Sequence, residues 1–349
     1  MTSQDLLLEI KGLKTHFHLD EGTVRAVEGV DLTLRRGGTL GVVGESGCGK
    51  TVTAYSILQL IESPGRIVAG EIIYHRQNGN RDEGSNLPID LIDLTKLRPD
   101  GREMRTIRGG EIAMIFQEPM TAFSPVHTVG NQIIEMLQLH IPVNAAEARR
   151  QAIEMLGYVG IPKPEQRIDA YPFQLSGGMR QRAMIAMALV CRPNLLIADE
   201  PTTALDVTMQ AQILELMLRL QKEMGMAIML ITHNLGVVAE ICDEVAVMYL
   251  GEMVEQASVD ALFHDPLHPY TQALLRSIPK LGANKGGRLD PITGAVPDPY
   301  NRPTGCPFHP RCAVAIEGKC ATQPSPVFRK PDGRTVRCWQ YAETHSFND

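Results

Sequence analysis

The residues best suited to chemistry lie at positions 44–51, which read GESGCGKT and fit the phosphate-binding pattern G-x-x-x-x-G-K-[ST]. Glycines allow the backbone to curl until its N–H groups converge on phosphate oxygens, and the start of the following helix adds partial positive charge. We expect Lys50 to reach the β- and γ-phosphates and the hydroxyl of Thr51 to bind Mg²⁺. This segment, the phosphate loop, therefore predicts a site for a nucleoside triphosphate.

The predicted contacts of the phosphate loop extend to the residue that follows it. Val52 offers only its backbone N–H to the phosphates, because its side chain has no hydroxyl. Cys48 is either a small loop residue or a thiol whose pKa is lowered by the start of the helix. The residues expected to contact the nucleotide here are Gly44, Glu45, Ser46, Gly47, Cys48, Gly49, Lys50, Thr51 and Val52.

A second candidate for chemistry is the pair of carboxylates that ends the apolar run 195–198. At the carboxyl edge of a strand beside a phosphate loop, Asp199 is expected to hold Mg²⁺ through water. Glu200 is expected to act as a general base, or to orient the water that attacks the γ-phosphate. Alone, two acids after a strand also describe an ordinary surface turn, so this prediction depends on the phosphate loop.

The pattern of apolar residues predicts the scaffold that positions these groups. Alternating apolar and polar residues at 6–13 and 24–34 indicate half-buried antiparallel strands, and 75–110 is a polar, exposed stretch with short strands at its edges. Helical periodicity covers 128–160 and is interrupted at Ile141-Pro142. Short apolar strands alternating with helices predict an α/β fold with a mainly parallel sheet. The apolar strands are predicted at 39–43, 112–116, 195–198, 227–232 and 245–249, and helices at about 49–61, 178–190 and 207–224.

Composition excludes several classes of protein. The net charge of −6 and the lack of a long basic tract give no reason to expect nucleic acid as a partner. No apolar run is long enough to span a bilayer, and the first residues lack the features of a signal peptide. We therefore expect a cytosolic protein whose connection with a membrane runs through partners.

The ordered set of motifs over about residues 5–255 resembles the ATP-binding subunit of an ABC transporter. The set comprises the phosphate loop, Gln117 after a strand, LSGGM at 175–179, LLIADE at 195–200, ALD at 204–206 and His233. The resemblance implies a RecA-like sheet with an N-terminal antiparallel β subdomain and a helical subdomain, about 118–190, inserted in a domain of residues 1–255. It also implies ATPase activity at a site closed between two subunits.

The resemblance assigns roles to individual residues. Gln117 would sense Mg²⁺ and the attacking water, and His233 would contact the γ-phosphate. Ser176, Gly177 and Gly178 would bind the γ-phosphate of the opposite subunit, and Asp206 would lie at the dimer seam. Met179 stands where the family usually has Gln, which leaves the backbone donors intact. Phe17 would stack on adenine, or it is part of the core.

The C-terminal extension, residues 256–349, resembles that of the ATP-binding subunits of dipeptide and oligopeptide permeases. The resemblance rests on HPYT at 268–271 and on GCPFHPRC at 305–312. It implies a subunit that powers uptake of peptides or related small solutes. Alternatives are an importer of another solute, such as nickel, and a soluble ABC ATPase that takes no part in transport.

Four cysteines crowd into this extension: Cys306, Cys312, Cys320 and Cys338. In a reducing compartment such a cluster suggests metal before disulfides. The spacings lack the paired C-x₂₋₄-C of common zinc sites, and four thiolates also suit a cubane iron–sulfur cluster. The resemblance implies a [4Fe-4S] cluster, with Zn²⁺ and unliganded thiols as alternatives. His309 is a further candidate ligand or a turn residue.

The expected partners also follow from the resemblance. They are two transmembrane permease subunits, a paralogous ATP-binding subunit or a second copy of this chain, and indirectly an extracytoplasmic solute-binding protein. Tyr171 and Phe173 would line a groove for a helix of the transmembrane subunit, or they pack between helices. The chain would then lie on the cytoplasmic face of the inner membrane, and its motifs do not identify the solute.

Overall fold

The structure is a computed structural model that describes residues 5–77, 88–117, 123–203, 206–278 and 292–342. The chain forms two compact units, the first of residues 1–7, 34–39 and 96–231 and the second of residues 8–33, 40–95 and 232–349. The strands are β1 (Leu6–Leu19), β2 (Gly22–Arg35), β3 (Thr39–Val43), β4 (Gly65–Gln77), β5 (Ile89–Asp93), β6 (Ile112–Ile115), β7 (Leu195–Asp199), β8 (Ala227–Ile231), β9 (Glu244–Tyr249), β10 (Glu252–Ser258), β11 (Phe328–Arg329) and β12 (Thr335–Val336). The α-helices are α1 (Lys50–Ile57), α2 (Arg102–Gly110), α3 (Val129–His140), α4 (Ala145–Tyr158), α5 (Pro164–Arg167), α6 (Gly177–Leu189), α7 (Val207–Met224), α8 (Leu235–Ile241), α9 (Val259–His264) and α10 (Pro269–Arg276).

The second unit contains an antiparallel sheet and part of a mixed sheet. The antiparallel sheet has the order β2-β1-β4-β5, with β4 antiparallel to both β1 and β5. In the other sheet the order is β11-β12-β10-β9-β3; β3 and β9 are parallel, and β9, β10, β12 and β11 pair antiparallel in turn. All five residues of β3 are buried, which explains its continuous apolar sequence.

The first unit contains three strands in the order β8-β7-β6, and both pairs are parallel. The carboxyl ends of parallel strands lie at the same edge, so the segments that follow β6 and β7 are brought together there. The helices α3, α4 and α6 pack on one another in this unit. The predicted α/β class is therefore confirmed, and the helical periodicity at 128–160 corresponds to α3 and α4. Residues 118–122, at the start of the predicted helical subdomain, lie outside the described residues.

Several predicted boundaries are wrong for identifiable reasons. Helix α1 ends at Ile57 and not near Ile61, because Gln59 takes a left-handed conformation (φ 50°) and the N–H of Leu60 bonds to the carbonyl of Tyr55. The stretch 75–110 contains helix α2, which was not predicted. The extension contains α9 and α10, which no periodic pattern in the sequence indicates, because helices of six and eight residues are too short for one.

The extension shares an apolar core with the strands of the second unit. The rings of Tyr249, Tyr270 and Phe308 contact one another, with centroids 4.7–5.4 Å apart. Val43, at the end of β3, belongs to the same cluster. The extension therefore packs against the strand that leads into the phosphate loop. Among the described residues, no helix combines the length and the hydropathy needed to cross a membrane.

We predict that Phe308→Ala lowers the free energy of unfolding by about 3–5 kcal/mol, because the ring is only 2% exposed and its loss leaves a cavity. The matched control is Phe173→Ala, which removes a ring that is 69% exposed and should change stability by less than about 0.5 kcal/mol. Urea denaturation of both variants checks this, and equal effects would contradict the assignment of Phe308 to the core.

Candidate nucleotide-binding site

The phosphate loop lies between β3 and α1, and two of its glycines are required by close backbone neighbours. At Gly44 (φ 151°) an added Cβ would lie 2.2 Å from the carbonyl oxygen of Met248. At Gly49 (φ 100°) it would lie 2.2 Å from the carbonyl oxygen of Ala26. Both positions also have φ values that side chains disfavour, so the curl of the loop depends on glycine there.

Lys50, the first residue of α1, is buried and folds back onto the loop. Its Nζ donates hydrogen bonds to the carbonyl oxygens of Gly44 (2.8 Å) and Glu45 (3.1 Å). Burial raises the pKa of the neighbouring Cys48 thiol above its ordinary value, and Lys50 offsets this only in part. Cys48 is therefore a protonated, small loop residue, and the alternative of a thiol with a lowered pKa is wrong.

Helix α1 is tied to the strand that carries Phe17. Thr51 and Val52 are half-buried in its first turn, and the hydroxyl of Ser56 lies 2.8 Å from the hydroxyl of Thr15 in β1. Two residues farther along β1, the half-buried ring of Phe17 lies beside Gly65. Phe17 is therefore on the surface of the sheet and not in the core.

Two residues of the extension hold Glu45, the second residue of the phosphate loop. The Arg311 guanidinium donates to both carboxylate oxygens of Glu45, at 2.7 and 3.1 Å, and to the hydroxyl of Tyr249 at 3.3 Å. The backbone N–H of Glu45 donates to the hydroxyl of Tyr270 at 3.0 Å. The hydrogen bonds that Arg311 donates to Glu45 raise the pKa of Arg311, and burial raises the pKa of Tyr270. Sequence reasoning missed both residues as part of the site, since no local pattern signals a contact between positions 266 residues apart.

The two carboxylates lie where β7 ends in the first unit. Asp199 is buried as the last residue of β7, opposite Ile231 of β8. Glu200 takes a left-handed conformation (φ 46°), and its N–H donates to the carbonyl of Ile231 at 2.9 Å. The hydroxyl of Thr203 donates to a carboxylate oxygen of Glu200 at 2.8 Å. The turn therefore gives Glu200 a left-handed backbone directly after Asp199, the last extended residue of β7.

Gln117 and His233 follow strands in the same manner. Gln117 is exposed and lies two residues after the end of β6. Because β6 and β7 are parallel neighbours, this is the same edge of the sheet at which β7 ends. His233 is also exposed, two residues after β8. In the second unit the N–H of Thr232, next to His233, donates to the carbonyl of Val42 in β3 at 3.3 Å. The residue directly before His233 in the sequence therefore bonds to the strand that precedes the phosphate loop.

The predicted trans-acting residues lie at exposed helix starts. Ser176 caps α6 by accepting a hydrogen bond from the N–H of Met179 at 3.3 Å, and Ser176 and Gly177 are exposed. Asp206 caps α7 by accepting from the N–H of Met209 at 3.0 Å. The methyl group of Met209 lies against Gly178, so the two helix starts are neighbours. Ala204 and Leu205 lie outside the described residues.

The four cysteines of the extension line a single cavity, together with His268 and His309. None forms a disulfide, and burial raises the pKa of Cys306 to about 12 and that of Cys338 to about 11. In the part of the chain that the structure describes, no three His, Cys, Asp or Glu side chains converge as ligands of a metal ion. The four cysteines are grouped as predicted, but among the described residues their side chains do not have the geometry of a metal site.

Comparison with protein families gives two matches. The ABC transporter family model matches residues 27–203, and the model of the oligopeptide/dipeptide transporter C-terminal region matches residues 254–320. The first match spans the phosphate loop, Gln117, residues 176–178 and the two carboxylates. The second includes Tyr270, Arg311 and three of the four clustered cysteines.

Curated relatives match over nearly their whole length. A probable peptide ABC transporter ATP-binding protein of Sinorhizobium fredii is 50% identical over 97% of this chain and 96% of its own. The oligopeptide transport ATP-binding protein AppD of Bacillus subtilis is 49% identical, with 97% of each chain covered. The dipeptide transport ATP-binding protein DppD of Escherichia coli is 46% identical over 95% of this chain and 96% of its own.

Solved structures support the same fold. A dimeric ATP-binding cassette in a post-hydrolysis state with ADP and Pi is 25% identical, with a TM-score of 0.61, and covers 72% of this chain and 99% of its own. The protein cbiO1 of Clostridium perfringens, part of an ABC transporter complex, is 26% identical, with a TM-score of 0.58 over 75% of this chain and 92% of its own. The fold is therefore that of an ABC cassette with an antiparallel β subdomain. The chain belongs to the ABC transporter family as an ATP-binding subunit with ATPase activity.

Proposed function

We propose that this chain hydrolyses ATP to power the uptake of dipeptides, oligopeptides or related small solutes across the cytoplasmic membrane. The observation that carries this proposal is one chain with both the match to the ABC transporter family at residues 27–203 and the peptide-transporter type of C-terminal region at residues 254–320. Relatives at 46–50% identity are named for peptide, oligopeptide and dipeptide transport. The chain would act at the cytoplasmic face of the inner membrane, bound to two transmembrane subunits.

In the proposed ATP site, the phosphate loop and the first turn of α1 bind the triphosphate. Phe17 stacks on adenine, and backbone N–H groups of the loop donate to the phosphates. Lys50 turns from the carbonyls of its own loop toward the β- and γ-phosphates. Thr51 and Gln117, and Asp199 through water, would hold Mg²⁺ with the oxygen atoms that this ion prefers, and the ion would neutralise charge on the phosphate oxygens.

Glu200 is the proposed general base. Its left-handed backbone and the hydrogen bond from Thr203 fix the direction of its carboxylate. The carboxylate accepts a proton from the water that attacks the γ-phosphate, and His233 holds that water and the γ-phosphate in place. The ADP–phosphate bond then breaks in line with the attack.

We propose that a second ATP-binding subunit, a paralogue or another copy, completes the site. The exposed N–H groups at the start of α6, at Ser176, Gly177 and Gly178, would bind the γ-phosphate held by the opposite subunit. Asp206 lies at the start of the neighbouring helix, and the adjacent Val207 is 85% exposed, which suits a seam between subunits. Dimeric ATP-binding cassettes among the similar structures support this arrangement.

Two substitutions should separate binding from hydrolysis. Lys50→Ala should weaken ATP binding by at least roughly tenfold, because it removes a charged donor to the phosphates. Glu200→Gln should bind ATP normally and accumulate a nucleotide-bound dimer, with steady-state hydrolysis lowered by roughly 10²-fold or more. Nucleotide titration measures ATP binding, size-exclusion chromatography measures the nucleotide-bound dimer, and phosphate release measures steady-state hydrolysis. Normal multiple turnover in the Glu200 variant would remove it as the base.

The proposed surface for the transmembrane subunits includes Tyr171 and Phe173. Their rings are stacked, with centroids 5.5 Å apart, and are exposed just before α6, which begins with the γ-phosphate contacts. Movement of that helix on closure of the ATP site would therefore reach the membrane subunits.

We predict that Phe173→Asp prevents co-purification with the transmembrane subunits and leaves ATP binding by the isolated chain unchanged. The matched control is Leu91→Asp, since Leu91 is 65% exposed on β5. Retained assembly and solute-stimulated ATPase activity in the Phe173 variant would show that the docking surface is elsewhere.

We further propose that residues 1–255 form the ATPase domain, with a helical subdomain at about 118–190, and that residues 256–349 form an extension holding a [4Fe-4S] cluster. The match to the C-terminal region begins at residue 254, which supports this boundary. For the cluster, the support is four reduced cysteines around one cavity. A cluster of four irons binds four separated thiolates, whereas a single Zn²⁺, the alternative, draws its ligands to one point.

Anaerobically purified protein should contain iron and inorganic sulfide in equal amounts and absorb visible light. Cys338→Ser should remove both signals. Cys242→Ser, which alters a half-buried cysteine outside the cavity, should remove neither. Stoichiometric zinc without visible absorbance would favour the zinc alternative.

A further inference from the structure

Glu45 places a negative charge in the phosphate loop, and the proposed ligand of this loop, a nucleoside triphosphate, is itself strongly negative. Glu45 is the second residue of the phosphate loop, and its backbone N–H donates to the hydroxyl of Tyr270. An unpaired carboxylate at this position would repel a triphosphate. The loop therefore requires a cation that neutralises Glu45 without occupying the space of the nucleotide.

Arg311 supplies that cation from the C-terminal extension. Its two terminal nitrogens bind the two carboxylate oxygens of Glu45 in the paired geometry that suits guanidinium and carboxylate. The Arg311 side chain is only 4% exposed and that of Glu45 is 24% exposed, so water screens this pair weakly. Tyr270, also in the extension, accepts the N–H of Glu45 and fixes the backbone of the same residue.

Arg311 lies in the sequence between two of the cysteines that line the cavity. Arg311 ends a single 3₁₀ turn, His309–Arg311, between Cys306 and Cys312. The N–H of His309 donates to the carbonyl of Cys306 at 3.0 Å, and Arg311 Nε donates to the carbonyl of Thr293 at 3.1 Å. The turn that carries Arg311 is therefore bonded to one of these cysteines and followed directly by the other, which gives the cavity a short path to the guanidinium.

We propose that Arg311 is a positioning residue for the phosphate loop, and that through it the cysteine-lined cavity of the extension sets the affinity of the loop for nucleoside triphosphate. This inference rests on the proposed function of the loop. It adds that the extension, separated by more than two hundred residues in sequence, acts directly on ATP binding. Loss of order around the cysteines would weaken ATP binding without any change in the loop sequence.

The central experiment is a double-mutant cycle on ATP affinity, measured by titrating the purified full-length chain with a fluorescent ATP analogue and Mg²⁺. Arg311→Gln should weaken binding by roughly tenfold, because it removes a buried charged partner and leaves Glu45 to repel the phosphates. In the Glu45→Gln background the same substitution should change affinity by less than about threefold. The matched control is Arg334→Gln, which removes a guanidinium of the extension that pairs with Asp265 and Asp332; it should leave affinity within about threefold of the wild type.

Dependence on Glu45 distinguishes this role from a general loss of folding. An equal loss of affinity on substituting Arg311 in both backgrounds would overturn the inference, since Arg311 would then act through something other than Glu45. Wild-type affinity in Arg311→Gln, with Lys50→Ala deficient in binding, would overturn it and leave the proposed function intact. Normal ATP binding by Lys50→Ala would instead refute the proposed function of the loop.

The link to the cysteines has its own test. Cys312→Ser should weaken ATP binding in the wild-type background and have less than about a threefold effect in the Arg311→Gln background, because the path is already interrupted. Wild-type affinity in Cys312→Ser, or a similar loss of affinity in both backgrounds, would show that the cavity does not act through Arg311.

Discussion

The close approach of two backbone carbonyls to the phosphate loop is the constraint on which the site depends. The carbonyls of Met248 and Ala26 lie so near Gly44 and Gly49 that no larger residue fits at either glycine. Met248 belongs to β9, the parallel neighbour of β3, and Ala26 belongs to β2 of the antiparallel sheet. The curl of the loop, and with it the start of α1 at Lys50, is therefore held by neighbouring strands as well as by its own sequence. A loop held in this way does not have to be ordered by its ligand, which lowers the entropic cost of binding.

The extension is joined to the same strands that hold the phosphate loop. Strand β10 joins β9 to β12, and Tyr270 and Phe308 pack in the apolar cluster that contains Val43. Buried carboxylates also bind the extension, through hydrogen bonds and an ion pair. Glu255 accepts the N–H groups of Leu267 and His268, and Glu252 pairs with Arg302. Burial raises the pKa of both carboxyl groups, so they depend on these partners to remain charged. A segment that resembles an appendage in sequence is thus joined to the phosphate loop by core packing, paired strands and buried polar contacts.

Local pattern predicted the elements whose signals are complete within a short segment. The bounds of α7 match the prediction because Asp206 caps it and Gly225 ends it in a left-handed conformation, the usual signals of a helix start and end. β3 was predicted because a strand covered on both faces is continuously apolar. The end of α1 was placed too late, since Gln59 in a left-handed conformation carries no sequence signal, whereas Pro64 and Gly65 do. Helices α2, α9 and α10 were missed because they are short and are fixed by tertiary contacts.

By itself the sequence determined the family and the class of chemistry, and it predicted the phosphate-binding and acidic residues, because these depend on residue types at fixed local spacing. It also grouped four cysteines in the extension, which the fold then placed around one cavity. Only the tertiary structure decided that Cys48 is a buried thiol with a raised pKa, that Glu200 adopts a left-handed conformation, and that Arg311 pairs with Glu45. The physical reason is that burial, backbone direction and ion pairing depend on groups that are distant along the chain and become neighbours only when it folds.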